Sequence, residues 1–376
     1  MKTPLAWRNL VHAKVRTGLA LAGIAFAVML VFLQVGLHGA MKTGATLFFD
    51  AMEHDLVVLP TDYIFLASPA VFPKRRLQQV AALPEVASVA PLFVGQSHWA
   101  VPESGARLST VVFGIDPEAP AFPAETLGAD PALLRSLDTV LADTQTRDIF
   151  GPRDVGSTIE VGDRRVKVVG ESTLGTAFLD LGVLVASDRT YQHVLPGARL
   201  DRPSMGLVEL RDGADAEQVL ERLRLSLPPD VEVVSRATLN QRETHHWLVL
   251  TSTGPIFGSG ALVAIIVGVV VIYQALATQV MRHLPEYATM KAMGYADGQV
   301  SRVVIQQSVL LAITGFVPGL LAALGLYAML RQKDFIPIWM TPTRVIAVLV
   351  LTVAMAVVAG FLALGKVRKA DPADLF

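Results

Sequence analysis

The sequence predicts a membrane α-helical fold of four transmembrane helices carrying one large α+β extracytoplasmic domain. Three observations lead there. Hydrophobic residues make up 52 % of the chain and charged residues only 17 %, against roughly 25 % charged in ordinary soluble domains. Four uncharged runs reach the length of about 20 residues that a spanning helix needs. Between the first and second runs lie about 215 residues of mixed character, enough for one or two folded modules.

The elements follow in chain order. Residues 1–16 are basic and amphipathic, with Trp7 and Leu10 opposing Arg8 and Lys14. Such a segment suits the inner membrane surface or a cytoplasmic subunit. The first span covers 17–37, and its apolar run is too long for a cleavable signal core. The extracytoplasmic domain with its helical stalks covers 38–253, and the second span 254–281. A short cytoplasmic helix is expected over 282–300, a third span over 301–330 and an external loop over 331–344. The fourth span, 345–365, leads into a cytoplasmic tail, 366–376.

Basic residues set the orientation. Lys2, Arg8, Lys14 and Arg16 precede the first span, Arg282, Lys291 and Arg302 join the second to the third, and Lys366, Arg368 and Lys369 follow the fourth. Placing these ten inside puts both termini in the cytoplasm of a multi-pass inner-membrane protein. Arg331, Lys333 and Arg344 oppose the bias. The large segment holds 19 basic and 28 acidic residues, the remainder 13 and 5, which fits an acidic outer domain on a basic membrane portion. The chain contains no cysteine, so disulfides and thiolate metal sites are excluded.

Two pieces of the outer segment look alike. DLVVLP from Asp55 leads through a helical stretch to LPEVASVAPL from Leu83. GLVELRDG from Gly206 leads through another to LPPDVEVVS from Leu227. Each reads strand, helix, Leu-Pro break, strand, and Val219, Leu220, Leu223 and Leu227 make the apolar stripe of a helix lying on a sheet. Paired βαβ units of this kind form one split module with helices on one face. Residues 95–203 read as a β-rich subdomain, with RLSTVVFGI from Arg107, a hairpin turning at Gly162-Asp163, and GVLVAS from Gly182. Helical arms, HGAMKTGATLFFDAM and ATLNQRETHHWLVLTST, join the domain to the first and second spans. They are either rigid carriers of motion or interfacial segments with Trp247 as a headgroup anchor.

The spans hold no deep charge, which argues against an ion-coupled carrier. Rows of small residues at Gly260, Ala264 and Gly268 and at Gly315 and Gly319 permit close helix approach, within the chain or between two copies. There is no GxxxxGK(S/T) phosphate loop, so any use of ATP with Mg must belong to another polypeptide; this chain needs no cofactor of its own. His245-His246 has no HExxH or carboxylate company, and no nucleophile elbow appears. No enzymatic activity and no nucleic-acid partner are expected.

The stretch MRHLPEYATMKAMGYADGQ between the second and third spans holds the most specific pattern. Pro285 suits the first turn of a helix and Gly294 its left-handed cap. Tyr287, Met290 and Met293 recur every three residues on one face, with Lys291 beside it. The pattern fits a membrane-surface turn, or a helix that receives force from a motor subunit.

The order of one span, a large outer domain and three spans resembles the MacB-type permeases of ABC transporters, within the MacB/FtsX-like mechanotransmission superfamily. LAWRNL with RTGLALAGIAFAV, and VIYQALATQV followed by LPEYATMKAMGY, resemble the DevC-type permeases known from heterocyst glycolipid export. The likeness covers roughly residues 4 to 60 and 237 to 305, and KVRKADPADLF resembles the family's basic tail. It implies a homodimer in the lipid bilayer with a separate ABC ATPase subunit, a membrane-fusion adaptor protein and an outer-membrane channel, together a tripartite exporter. It assigns Glu286, Tyr287, Met290, Lys291, Met293 and Gly294 to the ATPase-coupling helix and makes the outer domain a porter-like βαβ module with a β-rich subdomain. His245-His246 and His283 depart from that pattern. The competing expectations are an FtsX-like signalling permease that activates a cell-wall hydrolase, and a lipoprotein-releasing permease.

Overall fold

The computed structural model describes residues 14–68, 70–176, 181–282, 297–334 and 336–369. They fall into two compact units, one from the described parts of 1–40 and 252–376, the other from 41–251.

Helix α1 runs unbroken over Lys14–Asp50. With no proline and no polar cluster in the way, the helix of the span continues through the arm that follows it. The second unit then builds one nine-stranded sheet: β1 (Leu56–Pro60), β2 (Val86–Ala100), β3 (Arg107–Ile115), β4 (Thr139–Asp143), β5 (Thr158–Val161), β6 (Arg164–Ser172), β7 (Val183–Ser187), β8 (Met205–Leu210) and β9 (Val231–Ser235). Its α-helices of seven residues or more are α2 (Arg75–Ala81), α3 (Asp188–Val194), α4 (Ala216–Ser226) and α5 (Arg236–His245). The last three begin where a short polar side chain caps their free amides: Ser187 accepts from Thr190, Asp215 from Glu217 and Gln218, and Ser235 from Thr238.

Strands β2, β8, β1 and β9 lie side by side, all antiparallel. With α2 and α4 between their strands they form the pair of βαβ units expected from the two similar sequence pieces. Leu77 and Val80 of α2 and Val219, Leu220 and Leu223 of α4 bury against Leu56, Val58, Val208, Val231 and Val233. The opposite face is covered too. Val57, Leu59 and Leu207 meet Phe48, Phe49 and Met52 at the end of α1, and Val234 with Leu239 of α5 joins the same core. Strand β1, buried along its whole length, therefore reads as a continuous apolar run, as strands buried on both faces do.

Strand β2 is fifteen residues long and serves both parts. Val86 to Leu92 pair with β8, and Leu92 to Ala100 pair with β3. From β3 the sheet proceeds through β7, β4, β6 and β5 and returns to β2 at Trp99 and Ala100. These six strands close on themselves around Phe93, Trp99, Val112, Val140, Val161, Val166, Val168 and Leu184. Closure removes the free edges of β3 and β5. The β-rich middle is thus continuous with the βαβ module rather than a separate sheet. At the β5–β6 hairpin Gly162 and Asp163 both take positive φ (58° and 62°), the geometry of a two-residue turn that matches strand twist. One buried carboxylate organises the turns beyond β4 and β6: Asp143 accepts from Gln145 N, Gly175 N and Ser172 Oγ, each at 2.9 Å.

In the first unit, helices α6 (Thr253–Arg282), α7 (Asp297–Asp334) and α8 (Pro342–Lys369) join α1. Among the described residues, four segments, Gly18–Asp50, Thr253–Thr278, Ser301–Gln332 and Pro342–Gly365, are long and apolar enough to cross a membrane. They pack around Ile24, Val28, Phe32, Ile272, Phe316 and Met355. α7 continues through Pro318.

Replacing Asp143 with alanine should cost about 2–4 kcal/mol, because three buried or half-buried donors lose their only shared acceptor. Pulse proteolysis of the detergent-solubilised chain in a urea series checks it. A midpoint equal to that of the unmodified chain would contradict the assignment.

Candidate functional site

Glu286, Tyr287, Met290, Lys291, Met293 and Gly294 all lie outside the described residues. The structure describes the helices on either side, α6 to Arg282 and α7 from Asp297.

The five small residues singled out in the spans all face other helices of the same chain. A Cβ on Gly315 would stand 2.6 Å from Cγ2 of Ile24, and one on Gly319 would stand 2.8 Å from both the Ala25 carbonyl and Cβ of Val28. α1 and α7 therefore touch backbone to side chain, closer than any larger residue permits. A Cβ on Gly268 would meet Sδ of Met355 at 2.8 Å, and one on Gly260 would meet the Gln34 amide at 2.7 Å. Ala264 is buried in the same core.

In the second unit the chemistry concentrates where the two arms meet. Asp50 ends α1, where a negative charge opposes the helix dipole. Arg236, the first residue of α5, offsets it: its guanidinium lies 3.5 Å from the Asp50 carboxylate and donates to the Asp50 carbonyl at 3.1 Å. Asn240 Nδ2 donates to the same carboxylate at 3.2 Å. The end of one arm is thereby pinned to the start of the other.

One turn further along α5, Glu243 is 1 % exposed. The Tyr63 hydroxyl, from the loop after β1, donates to its Oε1, while Oε2 makes no hydrogen bond. Burial pushes the Glu243 carboxyl up to about 7, against a weaker opposing pull from the Tyr63 hydroxyl, the Leu66 amide and the Trp247 indole. The same burial, with Glu243 alongside, raises the Tyr63 hydroxyl well above its ordinary range, so it stays protonated. Arg242 binds Glu232 on β9.

α5 then widens into a π-turn, His246–Leu250, closed by Thr251 N donating to the His246 carbonyl at 3.0 Å. Thr251 is extended, and α6 starts at Thr253. The helix is thus interrupted at Thr251 and Ser252, just before Gly254-Pro255. π-turns inside helices cluster at functional sites. His246 stacks on Phe65 at 4.7 Å and 10°, and Trp247 stands edge-on to both rings at 5.6 and 5.9 Å. Burial, then the neighbouring His245, lowers the His246 pKa. The histidine pair thus has a packing role for one member. Tyr63, Phe65 and Glu243 form no motif in the sequence; the one signal was an acid in an arm otherwise rich in His and apolar residues. Among the described residues no group of three or more His, Asp or Glu could hold a metal ion.

Two family models match the chain, one over each of two successive stretches. Residues 17–225 match the model of the MacB-like periplasmic core domain, and residues 258–372 match that of the FtsX-like permease C-terminal domain. Two proteins, from Mycobacterium tuberculosis strains CDC 1551 / Oshkosh and ATCC 25618 / H37Rv, are each described as an uncharacterized ABC transporter permease. Each is 24 % identical over 361 residues, covering 94 % of this chain and 93 % of the relative. Among solved structures, the periplasmic region of MacB from Actinobacillus actinomycetemcomitans aligns at 13 % identity and TM-score 0.36, over 51 % of this chain and 94 % of that one. The extracellular domain of the noncanonic ABC-type transporter YknZ from Gram-positive bacteria aligns at 13 % and 0.34, over 48 % and 99 %.

Two outcomes are expected from this geometry. Gly319→Leu should destabilise the helix unit by about 1–3 kcal/mol through overpacking against Ala25 and Val28, read as a lower thermal aggregation temperature in detergent. Glu243 binds its proton more tightly folded than unfolded, so the stability it contributes is full below about 4.5 and declines as pH rises through about 7. Glu243→Gln should remove that slope and stabilise the domain above pH 8 by up to about 3 kcal/mol, measured by pulse proteolysis across the pH range. A slope unchanged by the substitution would contradict it.

Proposed function

This chain belongs to the permease family that carries a MacB-like periplasmic core domain, and from that membership we propose that it is the permease of a tripartite ABC exporter of DevC type. Its class is the coarser premise: an ABC transporter permease of the MacB/FtsX family, a multi-pass membrane protein whose ATPase is a separate subunit. The exporter reading takes that premise further. Two copies of the chain pair in the inner membrane with both termini in the cytoplasm. Two ATPase subunits bind ATP and Mg and push on residues 286–294. The spans carry the motion outward, and the outer domain drives cargo toward an adaptor and an outer-membrane channel.

The observation that carries this reading is the match of both domain models in the order a mechanotransmitting permease requires, with the Tyr287-Met290-Met293 stripe falling in the connection between α6 and α7. Two features support it. α1 is assigned as one helix over Lys14–Asp50, which includes the first span and the arm that follows it. α6 is the least covered of the four spanning helices and exposes Ile256, Leu262, Val263, Ile266 and Val270, an apolar face suited to lipid or a second copy.

Tagged purification from native membranes in mild detergent tests the proposal. Co-elution of an ATPase with a membrane-fusion adaptor is the expected result. An ATPase with a cell-wall hydrolase would favour a signalling permease instead, and an ATPase with a lipoprotein acceptor a releasing permease. Replacing both Tyr287 and Met290 with aspartate should weaken ATPase association by at least about tenfold, since a bare charge in an apolar groove is costly, while the chain still inserts and folds. Unchanged association and unchanged coupled ATP hydrolysis would overturn the coupling assignment.

A further inference from the structure

Large apolar side chains stand exposed at one place in the second unit where two remote segments meet. Ile64 is 60 % exposed at the tip of the loop after β1. Val249 and Leu250 are 56 % and 67 % exposed in the π-turn. Those segments are about 180 residues apart in sequence, yet Phe65 and His246 stack face to face between them and Trp247 closes the edge. Below the rings, Tyr63 and Glu243 bind the same two segments a second time. The two segments that carry these apolar side chains are therefore joined by two independent contacts, an aromatic stack and a buried hydrogen bond.

The chain itself says what this patch must meet. Only three peptide steps separate Leu250 from Thr253, the first residue of α6, and those steps span at most about 11 Å. α6 is apolar over Thr253–Thr278, 26 residues or about 39 Å of helix, which exceeds the hydrocarbon thickness of about 30 Å and puts its start in the headgroup layer. Leu250 and Val249 are tethered to that layer. Trp247 is the residue type enriched there, because its ring is apolar and its N–H is not. Solvent exposure of three large aliphatic side chains in such a place has a simple physical resolution, which is lipid.

We propose that the loop 61–68 and the π-turn His246–Leu250 form one lipid-engaging foot, seated at the bilayer surface where α6 enters, with Ile64 inserted beside Val249 and Leu250. The partner is the interfacial region of the phospholipid leaflet, and the Phe65–His246 stack is what carries Ile64 to it. A foot of this kind gives the outer domain a bearing on the membrane that the chain link alone does not supply, because it comes from the far end of the sheet's first strand. The inference rests on α6 spanning a bilayer, and not on the identity of any cargo, ATPase or adaptor.

The absence of native cysteine makes the test direct. Single variants Ile64→Cys, Leu250→Cys, Leu225→Cys and Val270→Cys of the full chain are labelled with a small fluorophore and reconstituted into phosphatidylcholine–phosphatidylglycerol vesicles. Quenching is read from lipids bearing a doxyl group near the headgroup, and from aqueous iodide. Leu225, 88 % exposed on α4, is the water-facing reference, and Val270 within α6 reports whether that helix is in the bilayer. The label at position 64 is expected to be quenched by lipid as strongly as that at 250, several-fold more than that at 225, and to lose accessibility to iodide. Lipid quenching at 64 no greater than at 225 would overturn the proposal. With iodide access retained the loop faces water, and with iodide access lost it faces a protein partner or a second copy. A label at 270 that no lipid quencher reaches would instead remove the membrane reading of α6. In a Phe65→Ala background, lipid quenching at 64 should fall while that at 250 persists; equal retention at both would overturn the role given to the stack.

Discussion

The outer domain depends on one strand serving both parts of a single sheet. β2 gives its first half to β8 and its second half to β3, and Leu92 sits at the changeover, paired with Met205 on one side and Ile115 on the other. Had β2 stopped at Leu92, the βαβ module would end in a bare edge and the six-stranded ring would lack a wall. Because backbone pairing is continuous through the changeover, displacement of one half cannot leave the other in register. The two parts share one continuous run of backbone pairing for that reason, although each has its own apolar interior.

The arms attach to that body by a different kind of bond. The end of α1 contributes Phe48, Phe49 and Met52 to the core, which fixes its position by area. Its last residue is then tied to α5 by Arg236 and Asn240. α5 is held in turn through Glu243, a carboxyl buried beside Tyr63 and kept part-protonated near neutral pH by that burial. A charge-bearing group in such a place is costly unless it keeps its proton or its partner. The π-turn that follows lengthens the helix by one residue per turn, presenting Trp247 beside Phe65. Both arms are thus fixed where they meet the outer domain, one by packed apolar area and an ion pair, the other by a buried hydrogen bond and an aromatic stack.

Much of this architecture was legible along the chain. Spanning helices announce themselves because every backbone group must be satisfied inside the segment, which demands about 20 apolar residues without interruption. The βαβ repeats were visible through the stripe of Val219, Leu220 and Leu223 and the Leu-Pro breaks. The hairpin was visible because few residues other than Gly, Asn and Asp accept the backbone found at 162 and 163. Strand β4 was not visible: TVLAD is five residues, too short to show a period, and its Asp143 reads as a loop residue until its three donors are in view. The Tyr63–Glu243 pair was hidden for the same reason, since neither partner signals the other across 180 positions.

Composition, run length and local turn chemistry determined by themselves that the chain is a membrane protein with four spans and one large α+β outer domain. They did so because solvent preference and backbone conformation act on neighbouring residues. Tertiary structure alone decided that six strands close into a ring, that the small residues of α7 press on α1, and that a buried acid and an aromatic stack join the first loop to the last arm. Those features arise from pairings between distant residues, whose energy exists only once the chain has brought them together, and no local pattern records it.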